Sequence, residues 1–173
     1  RGQYLLQQLA SERHYYGFLA ASHLQAPAKM KDKPLAFSLA EKRRVINYPA
    51  AKRAFEFYHI GRYYQARSEW NYLISKLTKR EKLIAAKVAN ENQWFDRTIF
   101  TLAKVGYLDD VALRFPKAFD EEIYRHSMKE KIAPSWAFAI ARRESSFMVD
   151  ARSSVGAKGL MQLMPNTAKS LKQ

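Results

Sequence analysis

Glu144 is the residue of this chain best placed by its neighbours to move a proton. It closes a run in which Trp136, Ala137, Phe138, Ala139, Ile140 and Ala141 follow Pro134 and Ser135. Proline suits the opening turn of a helix, where its missing donor costs nothing. Positions 137, 140, 141 and 144 obey the i, i+3, i+4, i+7 rule, so the carboxyl shares a stripe with Ala137, Ile140 and Ala141. Arg142 and Arg143 stand too close in sequence to face it along the helix. A carboxyl on an apolar stripe without a local cation is expected to be sheltered and to hold its proton, because burial disfavours the charged form. A general acid working near neutrality needs that property. The competing expectation is a surface glutamate paired with an arginine from elsewhere.

The next segment bears on that choice. Gly156 and Gly159 lie between Arg152-Ser153-Ser154 and the quartet Leu160-Met161-Gln162-Leu163. Glycines there permit positive φ or close backbone approach. Met161 and Met164, with Leu160 and Leu163, suit core filling as well as groove lining. Gln162 is more informative, since an amide within an apolar run must find hydrogen-bond partners or face solvent. It either binds a substrate hydroxyl or acetamido group or is simply exposed. The combination suggests a protonated carboxylic acid beside a groove for a polar, uncharged ligand such as a sugar.

Two motifs carry a resemblance. Ala141-Arg142-Arg143-Glu144-Ser145-Ser146-Phe147, then Ser153-Ser154-Val155-Gly156-Ala157-Lys158-Gly159-Leu160-Met161-Gln162-Leu163-Met164-Pro165-Asn166-Thr167-Ala168, resemble the soluble lytic murein transglycosylases in order, residue type and separation. The catalytic domain of that family is related to goose-type lysozyme. Upstream, His14 to Ala21, Ala66-Arg67-Ser68-Glu69-Trp70, Asn92-Gln93-Trp94-Phe95-Asp96 and Arg114-Phe115-Pro116 resemble its helical linker region, so the likeness covers nearly the whole chain. It implies that Glu144 is the catalytic acid/base and that Ser153 lies near the reacting sugar. It implies further that Gln162 and Met164 line the groove, and that Ser145 supports the helix end rather than touching substrate.

The implied reaction cleaves the β-1,4 bond between N-acetylmuramic acid and N-acetylglucosamine without water. Glu144 protonates the leaving oxygen, the muramic acetamido carbonyl stabilises the electron-poor carbon, and Glu144 then takes the proton of the muramic 6-hydroxyl as a 1,6-anhydro ring closes. Two-carboxylate glycosidases instead set both acids across the scissile bond. The nearest downstream acid here, Asp150, sits in a turn-like stretch where a solvated or turn-capping role is expected. In the family a third motif, rich in Ala-Tyr-Asn-Ala-Gly, closes the far side of the groove well downstream. This chain ends at Gln173, so it is expected to hold the acid and one wall, and to be incomplete as a catalyst. The implied partner is the peptidoglycan glycan strand, with peripheral outer-membrane or cell-wall association, and the implied compartment is the periplasm.

Composition sets outer bounds. In 173 residues there are six glycines, six prolines and no cysteine, which argues against a β-sandwich, a disordered chain, a disulfide framework or a thiolate metal site. His14, His23, His59 and His126 show no metal-ligand spacing, and no metal or cofactor is expected. No apolar run is long enough to cross a bilayer, and Arg1-Gly2-Gln3-Tyr4 is not a signal peptide. The net charge of +14 divides into 20 Lys/Arg against 10 Asp/Glu up to residue 114 and 10 against 6 beyond it. Such a chain is steered toward polyanions, whether murein carboxylates or nucleic acid. Tyr15, Tyr16, Tyr63, Tyr64, Trp70 and Trp94 lie among the basic residues and could stack on bases. Their helical spacing instead favours packing between helices, and nucleic acid is not expected as a partner. The alternative function is a non-catalytic basic helical-repeat module that binds RNA or a protein.

The elements that must position these residues read as helix after helix. Segments are expected at 4–10, 14–24, 35–48, 51–60, 63–77, 80–90, 95–105, 119–128 and 134–147, with a Pro- and Lys-rich loop at 25–34 and stops at Gly61 and Gly106. The turns opening at Gly61 and Asn92 are 31 residues apart, close to the period of helical-hairpin arrays. Pro116 disfavours helix in the residue before it, which suggests a boundary near Arg114. The fold class expected is all-α. A helical-hairpin superhelical linker region at 1–114 precedes the first part of a lysozyme-like domain at 115–173.

Overall fold

The computed structural model describes residues 2–171, and within them the chain is all-α. Helices α1 (Gly2–Ala10) and α2 (Tyr15–His23) pack as a pair. Then follow α3 (Leu39–Ile46), α4 (Pro49–His59), α5 (Tyr63–Lys76), α6 (Lys79–Glu91) and α7 (Phe95–Val105). The last are α8 (Val111–Arg114), α9 (Asp120–Lys129), α10 (Pro134–Ser145) and α11 (Pro165–Ser170). No helix among the described residues is long and apolar enough to cross a membrane.

Two compact units result. One runs to Pro34 and takes in Asp109–Val111; the other holds Leu35–Leu108 and continues from Ala112. In the first, Gly17 lets α2 lie against the preceding turn, because a Cβ there would meet the Glu12 carbonyl oxygen at 1.9 Å. Arg13 donates to Asp109 at 2.6 Å, and the Lys33 amide donates to the Asp109 carbonyl at 2.8 Å.

The second unit is built on two helical hairpins, α4 with α5 and α6 with α7. Its core gathers Ala51, Ala54 and Phe55 of α4, Ala66, Trp70, Leu73 and Ile74 of α5, and Ile84, Ala85, Val88 and Ala89 of α6 around Trp94. Small alanines on one face let the large rings sit between helices at close-packed density. Trp70 donates its indole N–H to Thr101 Oγ1 at 3.1 Å, so burying that ring leaves no orphaned donor. Helix starts follow local chemistry. Ser38 with Glu41 and Thr78 with Glu81 each form a reciprocal capping box at α3 and α6. Gly106, at φ 73°, ends α7 in the left-handed conformation.

Three expectations are corrected. α8 and α11 were not anticipated; four and six residues are too short for a periodic apolar pattern to develop. α10 stops at Ser145, not Phe147, because Ser146 and Phe147 both turn left-handed, at φ 51° and 65°. The expected packing role of the aromatics holds for buried Trp70 and Trp94 but not for Tyr15, Tyr16 and Tyr64, which are exposed.

The part that positions Glu144 is a second cluster. Ile99 of α7, Ile123 of α9 and Ala137 and Ala141 of α10 join Ala118 and Phe147, with Phe95, Phe119, Phe138 and Leu160 packed against them. α9 and α10 lie side by side over it.

Candidate functional site

Glu144 is the last residue but one of α10, and it is exposed. This corrects the expected shelter. The buried stripe of α10 is Ala137, Ala141 and Ser145, and Glu144 lies beside it with Ile140, which is 38% exposed. Neither arginine beside it pairs with it. Arg142 turns away, donating from Nε to the Arg114 carbonyl at 2.8 Å, with its guanidinium 4.4 Å from the Phe115 ring centroid. Burial, then the nearby Arg114, disfavours the charge on Arg142. Among the described residues Glu144 makes no ion pair.

Ser145 carries the link to the rest of the site. It is buried, and its hydroxyl reaches Ala141 O at 3.1 Å and Leu160 O at 2.8 Å. The residue after the acid is therefore tied to the chain two positions before Gln162. Its supporting role at the helix end is as expected.

Residues 151–164 fold back on themselves. Lys158 bridges antiparallel to both Arg152 and Leu163. Gly156 and Gly159 take φ of 94° and 75°, which explains glycine at both positions. Gln162 adopts φ 47° without being glycine, and its side chain accounts for that conformation. Its amide nitrogen donates to Gly159 O at 2.8 Å and Ala151 O at 3.2 Å, closing the fold over its own backbone. The amide oxygen is the end left for anything beyond the loop. Ser153 is also committed: its hydroxyl accepts the Ala157 N–H at 2.9 Å, and its N–H donates to Ala157 O at 3.0 Å. The hydroxyl hydrogen stays available as a donor. Met161 and Met164 are exposed rather than core, and Met164 is the N-cap of α11. A cavity of about 440 Å³ is bounded by α9, Ala137, Leu160 and Met161, but not by Glu144, Ser153, Gln162 or Met164.

Asp150 departs from expectation. It is neither simply solvated nor a turn cap, for Arg67 of α5 grips it with two parallel bonds of 2.9 and 2.7 Å. Sequence reasoning passed over this pair because 83 residues separate its members. Nearby, Asp96 is buried beside Arg97, with Nε to Oδ2 at 2.9 Å. Burial pushes its carboxyl up, against the pull of Arg97 and Arg67. Among the described residues no cluster suited to a metal ion exists.

The family profile of the soluble lytic murein transglycosylase L domain matches residues 44–111, and that of the transglycosylase SLT domain matches residues 122–173. The soluble lytic murein transglycosylase of Escherichia coli K12 is 34% identical over 166 residues, which cover 95% of this chain and 25% of that protein. Among solved structures, an inactive variant of lytic transglycosylase Slt from Pseudomonas aeruginosa is 40% identical with a TM-score of 0.85. It covers 97% of this chain, which spans 27% of it. The 70 kDa soluble lytic transglycosylase from E. coli is 31% identical with a TM-score of 0.89, over the same shares. The chain thus spans about a quarter of the length of these relatives. These likenesses do not support the alternative of a non-catalytic basic helical-repeat module that binds RNA or a protein.

Proposed function

We propose, from the premise that this chain belongs to the soluble lytic murein transglycosylase family, that it supplies the acid/base and one wall of a peptidoglycan-cleaving site. The reaction is scission of the β-1,4 bond between N-acetylmuramic acid and N-acetylglucosamine, with a 1,6-anhydromuramic product. Residues 115–173 form the front of the lysozyme-like domain and residues 1–114 its helical scaffold. The compartment is the periplasm, and the partner is the glycan strand at the surface of the cell wall.

One observation carries this reading: the Ser145 hydroxyl on Leu160 O at 2.8 Å joins the helix end bearing Glu144 to the fold bearing Gln162. An acid and a hydrogen-bonding amide are thereby set on one continuous, internally bonded piece of backbone. Glu144 is open to an arriving ligand. The bound glycan, by covering the carboxyl, supplies the desolvation that its own helix does not. Glu144 then protonates the leaving glycosidic oxygen as its bond to the anomeric carbon breaks, the muramic acetamido carbonyl stabilises that electron-poor carbon, and the ionised Glu144 takes the 6-hydroxyl proton as the 6-oxygen bonds to the anomeric carbon and closes the anhydro ring. The Gln162 oxygen accepts a hydrogen bond from a sugar hydroxyl or acetamido N–H. The Ser153 hydroxyl donates to the sugar, and Met164 offers it an apolar face.

The test is digestion of purified murein sacculi by the full-length protein, with mass spectrometry of the muropeptides. Glu144→Gln is expected to cut the 1,6-anhydro product by about 100-fold or more, the scale on which a positioned proton donor contributes. Undiminished product removes Glu144 from the mechanism.

A further inference from the structure

Among the charged groups outside the proposed reaction, the pair Arg67–Asp150 ties the α4–α5 hairpin to the loop that follows α10. Its fork geometry, with bonds of 2.9 and 2.7 Å, fixes direction as well as distance. The two side chains are 23% and 30% exposed, so solvent weakens the pair without removing it. Tyr58, Tyr63, Trp94 and Phe147 close round it, leaving a space of about 10 Å³, room for about one water. Asp96 adds its attraction to the charge on Arg67.

The position of Asp150 in the chain matters more than its energy. Its immediate neighbour, Ala151, presents the carbonyl that accepts both the Gly159 N–H at 2.9 Å and the Gln162 amide at 3.2 Å. A grip on residue 150 is therefore a grip on the strand to which Gly159 and Gln162 are bonded. We propose that Arg67 is a positioning residue: through Asp150 the helical scaffold holds the 151–162 fold in the register that presents Gln162 to the glycan. This rests on the reading above for what Gln162 binds, but the mechanical claim stands on its own. Glu144 sits on α10, which is anchored against α9 and α7 by Ala137 and Ala141 packed with Ile123 and Ile99, outside the 151–162 fold. Loosening the clamp is therefore expected to act on substrate binding and not on the proton-transfer step.

The test compares Arg67→Ala with the exchanged pair Arg67→Asp/Asp150→Arg in the full-length protein. With soluble uncrosslinked glycan chains as substrate, Arg67→Ala is expected to raise KM about fivefold, the upper end for a partly exposed ion pair. kcat is expected to stay within about twofold, as for a loss of uniform binding, and the exchanged pair is expected to bring KM back. In parallel, hydrogen exchange at the Gly159 amide is expected to quicken in Arg67→Ala and slow again in the exchanged pair. Unchanged exchange at Gly159 overturns the proposal, and so does quickened exchange with KM unmoved. If instead Glu144→Gln leaves cleavage intact, the acid assignment fails, while the exchange and KM measurements still decide the role of Arg67.

Discussion

At the scale of single residues, Glu144 and Asp96 show how burial sorts carboxylates. Glu144 lies on α10 beside the buried stripe of Ala137, Ala141 and Ser145 and is exposed; Asp96 lies in the first turn of α7 and is buried beside Arg97. Burial pushes the Asp96 carboxyl up, so the folded protein holds this proton more tightly than the unfolded chain does. Its contribution to stability is then fully present below the ordinary carboxylate range and is lost as pH rises through the raised value. Asp96→Asn, which cannot ionise, is expected to gain stability relative to the parent as pH rises from about 3 to about 7. Thermal melts of both proteins across that range check the sign. A stability difference that stays flat, or turns against the variant with rising pH, refutes it.

The helices themselves are the most legible level. α7 is found at Phe95–Val105, as the periodic pattern and the glycine stop anticipate, and α5 and α9 each lie within one residue of expectation. Their apolar faces repeat over three or four turns, long enough for periodicity to override local ambiguity. The ends were less legible because they depend on caps. Thr78 and Glu81 bond reciprocally at the start of α6, with the Thr78 hydroxyl accepting the Glu81 N–H at 3.3 Å and the Glu81 carboxylate accepting the Thr78 N–H at 2.9 Å. That motif is written in the order Thr-x-x-Glu and could have placed the boundary. Thr78→Ala is expected to cost about 1 kcal/mol, the usual loss for a side-chain cap. Urea denaturation should show a lower midpoint with an unchanged slope. An unaltered midpoint means that the box adds nothing beyond solvation of the same groups.

For the whole molecule, charge and breadth of likeness dominate. A net charge of +14 acts on any anionic surface the protein meets, with a reach of about 8 Å at physiological salt. Binding of this 173-residue chain to carboxylate-bearing sacculi is expected to weaken steadily between about 50 and about 500 mM salt. Cosedimentation checks this, and salt-independent binding assigns the attraction to sugar contacts alone. The L-domain profile matches residues 44–111, which hold the two helical hairpins, and the SLT-domain profile matches residues 122–173, which hold α10.

Residue types and spacing alone determined that this chain is helical, that it holds no cysteine, and that its segments 141–147 and 153–168 resemble two motifs of the soluble lytic murein transglycosylases. Those properties are local: a periodicity, a composition and a run of letters need no partner to be read. Tertiary structure decided the rest, because it depends on which surfaces meet. It left Glu144 in solvent where the stripe promised shelter, spent the Gln162 nitrogen on Ala151 and Gly159, and gave Asp150 to Arg67. A charge finds its partner by where the backbone carries it, and the helix packing that joins positions 83 apart cannot be read from the two side chains it brings together.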